Sequence, residues 1–237
     1  MGRAKEIIVK VIPAKVANEF VKKHHYSGKY AVNPSVCFGC FLDGKLHGVL
    51  QFGPSMQKSA CIGYVKNTNW NGFLELNRMA FDDFLPKNSE SRCISICMKL
   101  LKQNAPNVRW VISFADATQC GDGAIYRASG FNLVGITKNT TIYEMPDGFR
   151  FADIGLRASS GLLKKKVGYK VGEKFSTFKE RVGAKRVNGF QLRYIYLIDK
   201  TCKITVPIIP FSKIDEMGAG MYKGEKISLA ERKEIKD

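Results

Sequence analysis

ISFADATQCGDGAIYRASGF (residues 112–131) runs from an apolar stretch through Asp116 and a turn holding Gly121 and Gly123 into a segment that carries Tyr126. A short apolar run closed by turn residues reads as a buried strand, and Ala124 to Ser129 reads as the helix after it. Three readings compete for the glycines. They could cradle a phosphate at the helix N-terminus, form a packing corner, or turn the chain sharply so that Asp116 and Tyr126 reach one pocket.

Outward from this stretch the chain alternates in kind. EIIVKVIP predicts a strand, and AKVANEFVKKHHYS a helix with Val16, Phe20 and Val21 at helical spacing, ending at Ser27-Gly28. SVCFGCFLDGKLHGVLQFG predicts a hairpin turning at Asp43-Gly44, and FLELNRMAF a strand with Leu74, Leu76 and Met79 inward. SRCISICMKLLKQ reads as a helix capped by Asn88, Ser89 or Ser91, VRWVISFAD as a strand, and NLVGIT as another. Residues 146–188 are rich in Gly, Lys and Ser, after which FQLRYIYLID restores a strand, followed by ITVPIIPF. The order predicts an α/β fold: a mixed sheet flanked by helices, with a core over 1–145, a basic insertion over 146–188, returning strands over 189–215 and a polar, peripheral tail over 216–237.

The chain of 237 residues carries 38 Lys and Arg against 21 Asp and Glu, a net charge of +17. The excess is concentrated, because residues 157–213 hold 14 basic and 3 acidic side chains. A clustered positive field implies a polyanionic partner, and without a basic amphipathic helix that partner is nucleic acid rather than membrane. No apolar run approaches the length of a membrane span and no signal-peptide core is evident, so a cytoplasmic protein is expected. The seven cysteines are scattered. The single CxxC, Cys37 and Cys40, lacks the second pair that a zinc site wants, which predicts reduced, buried thiols and no metal.

AIYRASGF resembles the helix and turn of the GNAT acyltransferase superfamily, and FLDGKLHGVLQFG resembles its second and third strands. HHYS (24–27), ELNRMAF (75–81), SFADATQ…GAIYRASGF and the late LRYIYLID together resemble the Mom family of phage DNA-modification enzymes. The resemblance implies a GNAT-like mixed sheet and an enzyme converting adenine in phage DNA to carbamoylmethyl-adenine, an anti-restriction modification made inside the bacterial host cell. It implies double-stranded DNA as substrate, and iron as a cofactor by resemblance alone. Two departures stand out. Cys120-Gly121 occupies the turn where the family pattern has Gly-His. The stretch where GNAT enzymes hold the coenzyme A pyrophosphate on a basic, glycine-rich loop reads DDFLPKNSESRC, with Asp82, Asp83 and Glu90 and no glycine.

A carbamoylmethyl group contains nitrogen and is isomeric with glycyl, which points to aminoacyl transfer from glycyl-tRNA followed by rearrangement, with an acyl-coenzyme A as the competing donor. Asp116 is the candidate base for the adenine amine, or a turn cap. Tyr126 is the candidate acid, by analogy with the GNAT tyrosine, or a core residue. Ser113 could donate to the acyl carbonyl, act as nucleophile, or bond within its strand. Glu75 and Arg78, three apart on one strand, are expected on opposite faces, so that only one enters the site. His25 and Tyr26 could bind the base, act as acid and base, or be structural; His47 is expected on a solvent face. Arg157, Lys164, Lys165, Lys166, Lys170, Lys174, Lys179, Arg181, Lys185, Arg186 and Arg193 form the expected nucleic-acid footprint. Tyr169, Phe175 and Phe178 could stack on an extruded base or anchor a satellite core. Two other functions fit less of the chain: an acetyl-coenzyme A-dependent N-acetyltransferase of an amine or protein, and a non-catalytic nucleic-acid-binding protein.

Overall fold

At the expected hairpin, Asp43 and Gly44 both take positive φ, 51° and 75°, the geometry that a two-residue strand connection needs. It joins β2 (Val36–Leu42) to β3 (Lys45–Gly53). The computed structural model describes residues 3–158 and 161–234. In chain order the main elements are β1 (Ile8–Val11), α1 (Ala14–His24), β2, β3, α2 (Lys58–Cys61), β4 (Phe73–Phe81), α3 (Ser89–Asn104), β5 (Trp110–Asp116), α4 (Ala124–Ala128) and β6 (Asn132–Asn139). An excursion follows: β7 (Ile142–Glu144), β8 (Arg150–Ala152), α5 (Asp153–Ala158), α6 (Leu162–Val167), α7 (Phe175–Val182) and β9 (Lys185–Arg186). The chain returns through β10 (Gly189–Leu197) to α8 (Ser212–Glu216), β11 (Met221–Tyr222), β12 (Glu225–Lys226) and α9 (Leu229–Glu234).

Seven strands form one sheet in the order β1-β2-β3-β4-β5-β10-β6. Neighbours are antiparallel except β4 and β5, which run parallel. This is a GNAT-like mixed α/β sheet with helices on both faces. Cys93, Ile94, Cys97, Met98 and Leu101 of α3 cover one face, against Phe38, Leu50, Phe52, Leu76, Val111 and Leu192. On the other face Ala17 and Val21 of α1 pack on Cys37, Val49 and Ala80. Farther along that face, Phe73, Trp110, Ile112 and Ile195 are covered by Cys61, Val65 and Cys202.

Two irregularities shape the centre. β4 and β5 pair only through Phe73–Glu75 and Trp110–Ile112, and beyond these residues they diverge. β4 also carries a bulge: Gln51 faces Arg78 and Phe52 faces Leu76, which leaves Asn77 without a partner. An extra residue shifts the inward-outward alternation by one. Glu75 and Arg78 therefore share the α1 face, contrary to the alternation expected from the sequence.

The excursion folds as a small subdomain. β8-β7-β9 form a three-stranded sheet, and Tyr143, Phe151, Leu156, Val167 and Phe178 make its core. Tyr169 and Phe175 pack against that core, and Phe178 is fully buried. These rings therefore serve packing, not base stacking. The subdomain begins before residue 146, since β7 belongs to it. It is fastened at its exit by Gly189, where a Cβ would stand 2.4 Å from the Thr118 hydroxyl oxygen and 2.7 Å from its Cα.

Other expectations are corrected. Only β10 returns to the large sheet. ITVPIIPF, interrupted by Pro207 and Pro210, forms a covering segment with one bridge, Val65 to Ile204. The tail over 216–237 is not wholly peripheral: Ala219 and Met221 are buried in the main core. No side chain caps α3; Asn88 instead takes positive φ at its start. All seven cysteines are free, and Cys37 and Cys40 face opposite sides of β2, in separate cores. Among the described residues, no helix is long and apolar enough to cross a membrane.

Phe178→Ala should remove about 3–5 kcal/mol of packing from the subdomain alone. Hydrogen exchange should then accelerate across residues 142–187 while β2 to β5 keep their protection. Uniform acceleration would show that the two cores unfold as one.

Candidate active site

Asp116 ends β5 just beyond the parting of the strands. Its backbone carbonyl accepts N–H bonds from Cys120 (2.9 Å) and Gly121 (3.1 Å), which fold the chain back sharply. The carboxylate is divided between two tasks. Oδ1 accepts the Thr118 N–H at 2.9 Å, whereas Oδ2 accepts Gln119 Nε2 at 2.9 Å and the Tyr26 hydroxyl at 3.4 Å. Turn cap and oriented carboxylate are thus one residue.

His25 and Tyr26 follow α1 and bring a second element to the same place. The Ser27 N–H points at His25 Nδ1 at 3.2 Å, which makes that nitrogen an acceptor and leaves the proton of the neutral ring on Nε2. Burial and the nearby Arg78 charge lower the His25 pKa to about 4. Tyr26 is half exposed; desolvation around its hydroxyl, then the adjoining Asp116 carboxylate, push its pKa up, so it stays a hydroxyl. Arg78 donates Nε to the Lys29 carbonyl at 2.7 Å and Nη1 to the Asn77 carbonyl at 2.5 Å. Burial raises the Glu75 pKa, opposed by bonds from Ser55 and Asn77 and by Arg78.

Ser113 and Tyr126 approach from the α3 face. Ser113 is fully buried, and its hydroxyl reaches the Leu76 carbonyl at 3.4 Å, a long contact across the point where the strands separate. The Tyr126 ring lies in the core, 5.3 Å from both Phe131 and Tyr194. Burial, partly offset by the Ser113 hydroxyl, raises its pKa to about 12. It therefore retains its proton near neutrality and can serve as an acid. The seven candidates thus line one parting: His25, Tyr26, Glu75, Arg78 and Asp116 on the α1 face, Ser113 and Tyr126 behind.

The glycine turn is a packing corner. Gly123 has φ +83°, and a Cβ there would lie 2.5 Å from the Tyr194 ring. Next to it the sequence reading missed Asp122, whose fully buried carboxylate pairs with Arg127 at 3.0 Å and accepts the Met221 N–H at 2.9 Å. Its partners lie up to 99 residues away, so no local pattern announces it. Cys120, beside Asp116, has its pKa raised by burial and by that carboxylate, which makes a thiolate unfavourable.

His47 is not on a solvent face. It is 7% exposed, bonded to Asp82 at 2.9 Å and stacked on Phe84 at 4.3 Å. The β4–α3 loop is therefore occupied by its own contacts. The first turn of α3 presents the exposed Glu90, whose pKa is raised by desolvation and lowered by Lys223 from the tail, where a pyrophosphate would want donors. Among the described residues, no group of three or more His, Cys, Asp or Glu could hold a metal. The side chains present do not fit iron, and no step is routed through it.

In the subdomain, Lys165, Lys166, Lys170, Lys174, Lys185 and Arg186 are exposed and Lys164 and Lys179 partly so. Arg181 is engaged by Glu173 at 2.7 Å. The Arg157 side chain lies outside the described residues. α5 approaches the site, since a Cβ on Gly155 would be 3.7 Å from Lys29 Nζ, and Lys29 is the residue whose carbonyl holds Arg78.

A seven-stranded mixed sheet parted between two parallel strands, with helices on both faces, defines a GNAT-like α/β architecture. Residues 6–213 match the Mom protein family, and the chain belongs to that family. It is 35% identical over 201 residues to the methylcarbamoylase Mom of Escherichia phage Mu, covering 84% of this chain and 79% of that protein. Solved structures are matched more loosely. The ribosomal-protein-S18-alanine N-acetyltransferase of Escherichia coli has 10% identity and a TM-score of 0.46, covering 81% of this chain and 94% of its own. An N-acetyltransferase of Staphylococcus aureus Mu50 has 11% identity and a TM-score of 0.45, covering 81% and 99%.

The depressed His25 pKa has a measurable sign. Between about 6.5 and 4 the unfolded chain binds more protons at this site, so its stabilising contribution is complete above the ordinary histidine value and is lost as pH falls through 4. The His25 resonance should titrate near 4 by NMR, and Arg78→Met should move that midpoint upward. A midpoint at the ordinary value would contradict the buried, cation-facing environment.

Proposed function

We propose that this chain modifies the exocyclic amine of adenine in double-stranded DNA by acyl transfer. The observation that carries the reading is the convergence of Asp116, Tyr26, His25 and Arg78 on one side of the strand parting with Ser113 and Tyr126 on the other. The positively charged subdomain leaves the sheet at the same end of the strands, where Gln191 of β10 pairs with Asp116. Family membership supports it, and the phage Mu relative bears the name methylcarbamoylase.

The adenine is drawn out of the helix because its amine is unreachable inside the stack. Asp116 accepts a proton as N6 attacks the acyl carbonyl. The N6–C bond forms, the bond from carbonyl carbon to leaving oxygen breaks, and Tyr126 protonates that oxygen. Ser113 supports the carbonyl oxygen, while Arg78 and the neutral His25 Nε2–H position the base. With glycyl-tRNA as donor, the new amide carries a free amine. That amine attacks C6 of the purine, the C6–N6 bond breaks, and the carbamoylmethyl isomer results with no atom lost. The exposed lysines of the subdomain neutralise DNA phosphates.

Expression of the chain should add to cellular DNA an adenosine species carrying an extra nitrogen, detected by mass analysis of nucleosides. With nitrogen-labelled glycine, the label should sit on the nitrogen joined to the purine ring. An acetyl-adenosine instead would assign a coenzyme A route, and unlabelled product would remove glycine as the source. Asp116→Ala should lower modification by about 10²–10⁴-fold while DNA binding persists; unchanged modification would remove its catalytic role.

If about six phosphates are neutralised, affinity for duplex DNA should fall roughly a thousandfold between 50 and 200 mM salt. A flat response would separate the subdomain from DNA binding.

A further inference from the structure

Arg193 stands apart from the other basic residues. It lies on β10 directly opposite Phe114 of β5 and Gly135 of β6, in the large sheet rather than in the subdomain. Its neighbours Leu192 and Tyr194 face the α3 core, so Arg193 faces the other way, with Phe114, Asp116 and Glu75. Gln191, two residues earlier, pairs with Asp116. From strand spacings, the Arg193 and Asp116 Cα atoms lie about 8 Å apart.

The surroundings hold the guanidinium without neutralising it. Its carbon sits 4.6 Å from the Tyr64 ring centroid and 6.0 Å from that of Phe114. Gly135 lies beneath it on β6, and a Cβ there would make only ordinary contact, 3.5 Å from Nη1. Nε is buried with no hydrogen-bond partner. No ion pair to Arg193 is found among the described residues. Of the carboxylates on this face, Asp116 is engaged by Thr118, Gln119 and Tyr26, and burial favours the neutral form of Glu75. A planar fork stacked on an aromatic ring, with its donors unmet and nearby acids held elsewhere, is arranged for an external oxyanion.

We infer that Arg193 clamps a backbone phosphate of the DNA strand that delivers the adenine to Asp116, with the Tyr64 ring holding the guanidinium in place. The inference rests on the reading of the site as a DNA-adenine transferase and adds to it a phosphate contact on the sheet itself. It differs in kind from the subdomain lysines. Those draw the duplex by charge, whereas Arg193 fixes the register of one strand against the reacting group.

The test measures duplex DNA binding against salt, by fluorescence anisotropy, together with kcat and KM for adenine modification. Arg193→Met keeps the apolar stem and removes the charge; Arg193→Gln keeps polarity and gives an independent version should the first melt early. Either should flatten the salt slope by about 0.9, the share of one phosphate. KM for DNA should rise about tenfold, as loss of one charge-assisted contact implies, with kcat within about twofold because the contact is made in ground and transition states alike. Arg193→Lys should restore the slope. A purely structural role would lower the melting temperature and leave the slope untouched, and that result overturns the clamp. A raised KM for the acyl donor alone also overturns it. Wild-type protein that binds DNA but leaves adenine unmodified overturns the proposed reaction, while the slope comparison still decides the clamp.

Discussion

Phe73 and Trp110 lie face to face, 4.2 Å apart and 4° from parallel, at the end where β4 and β5 are still paired. Both rings are buried, and the Trp110 indole N–H donates to the Thr68 hydroxyl at 3.0 Å. Fastened at this end, the two strands can separate at the other without loss of the sheet. Backbone groups that a continuous ladder would consume are then left for a bound chain. The buried Ser113 hydroxyl stretches toward Leu76 where the ladder stops, and Asp116 projects just past it.

The opening divides labour between faces. On the α1 side, protonation states are set jointly: desolvation, aided by the Arg78 charge, keeps His25 neutral, and desolvation, aided by the Asp116 carboxylate, keeps the Tyr26 proton in place. On the α3 side the groups are uncharged hydroxyls in a dry core. A weak nucleophile such as an aromatic amine benefits from this arrangement, because proton acceptor and proton donor are separated by the reacting atoms. The bulge at Asn77 makes it possible. Without the extra residue, Glu75 and Arg78 would point to opposite faces, and the cation would be lost from the group it tunes.

Much of this was legible in the residues. Apolar runs and turn dipeptides marked the strands, and Asp43-Gly44 fixed the first hairpin. Asp116 could be named as a candidate from its place just past a strand end, and Tyr126 only through the resemblance to the GNAT tyrosine. What escaped was set by long-range partners. The phase change at Asn77 exists only in the register with β3. His47 looked exposed because its burial comes from Asp82 and Phe84, some 35 residues on. The tail looked polar because its two buried apolar side chains, Ala219 and Met221, stand among glycines. Aromatics between lysines suggested stacking platforms, yet a small subdomain needs those rings for its own core.

Asn139 and Gly189 are paired neighbours on β6 and β10, although 49 residues of chain separate them in the sequence. The whole subdomain therefore occupies the place of a loop between two adjacent antiparallel strands. The sheet holds those ends together, and loop-closure entropy grows only slowly with the length enclosed. Such a position accepts replacement. A lineage could exchange the charged unit for another of different size or surface, while the parted strands and the side chains that line them pass on unchanged.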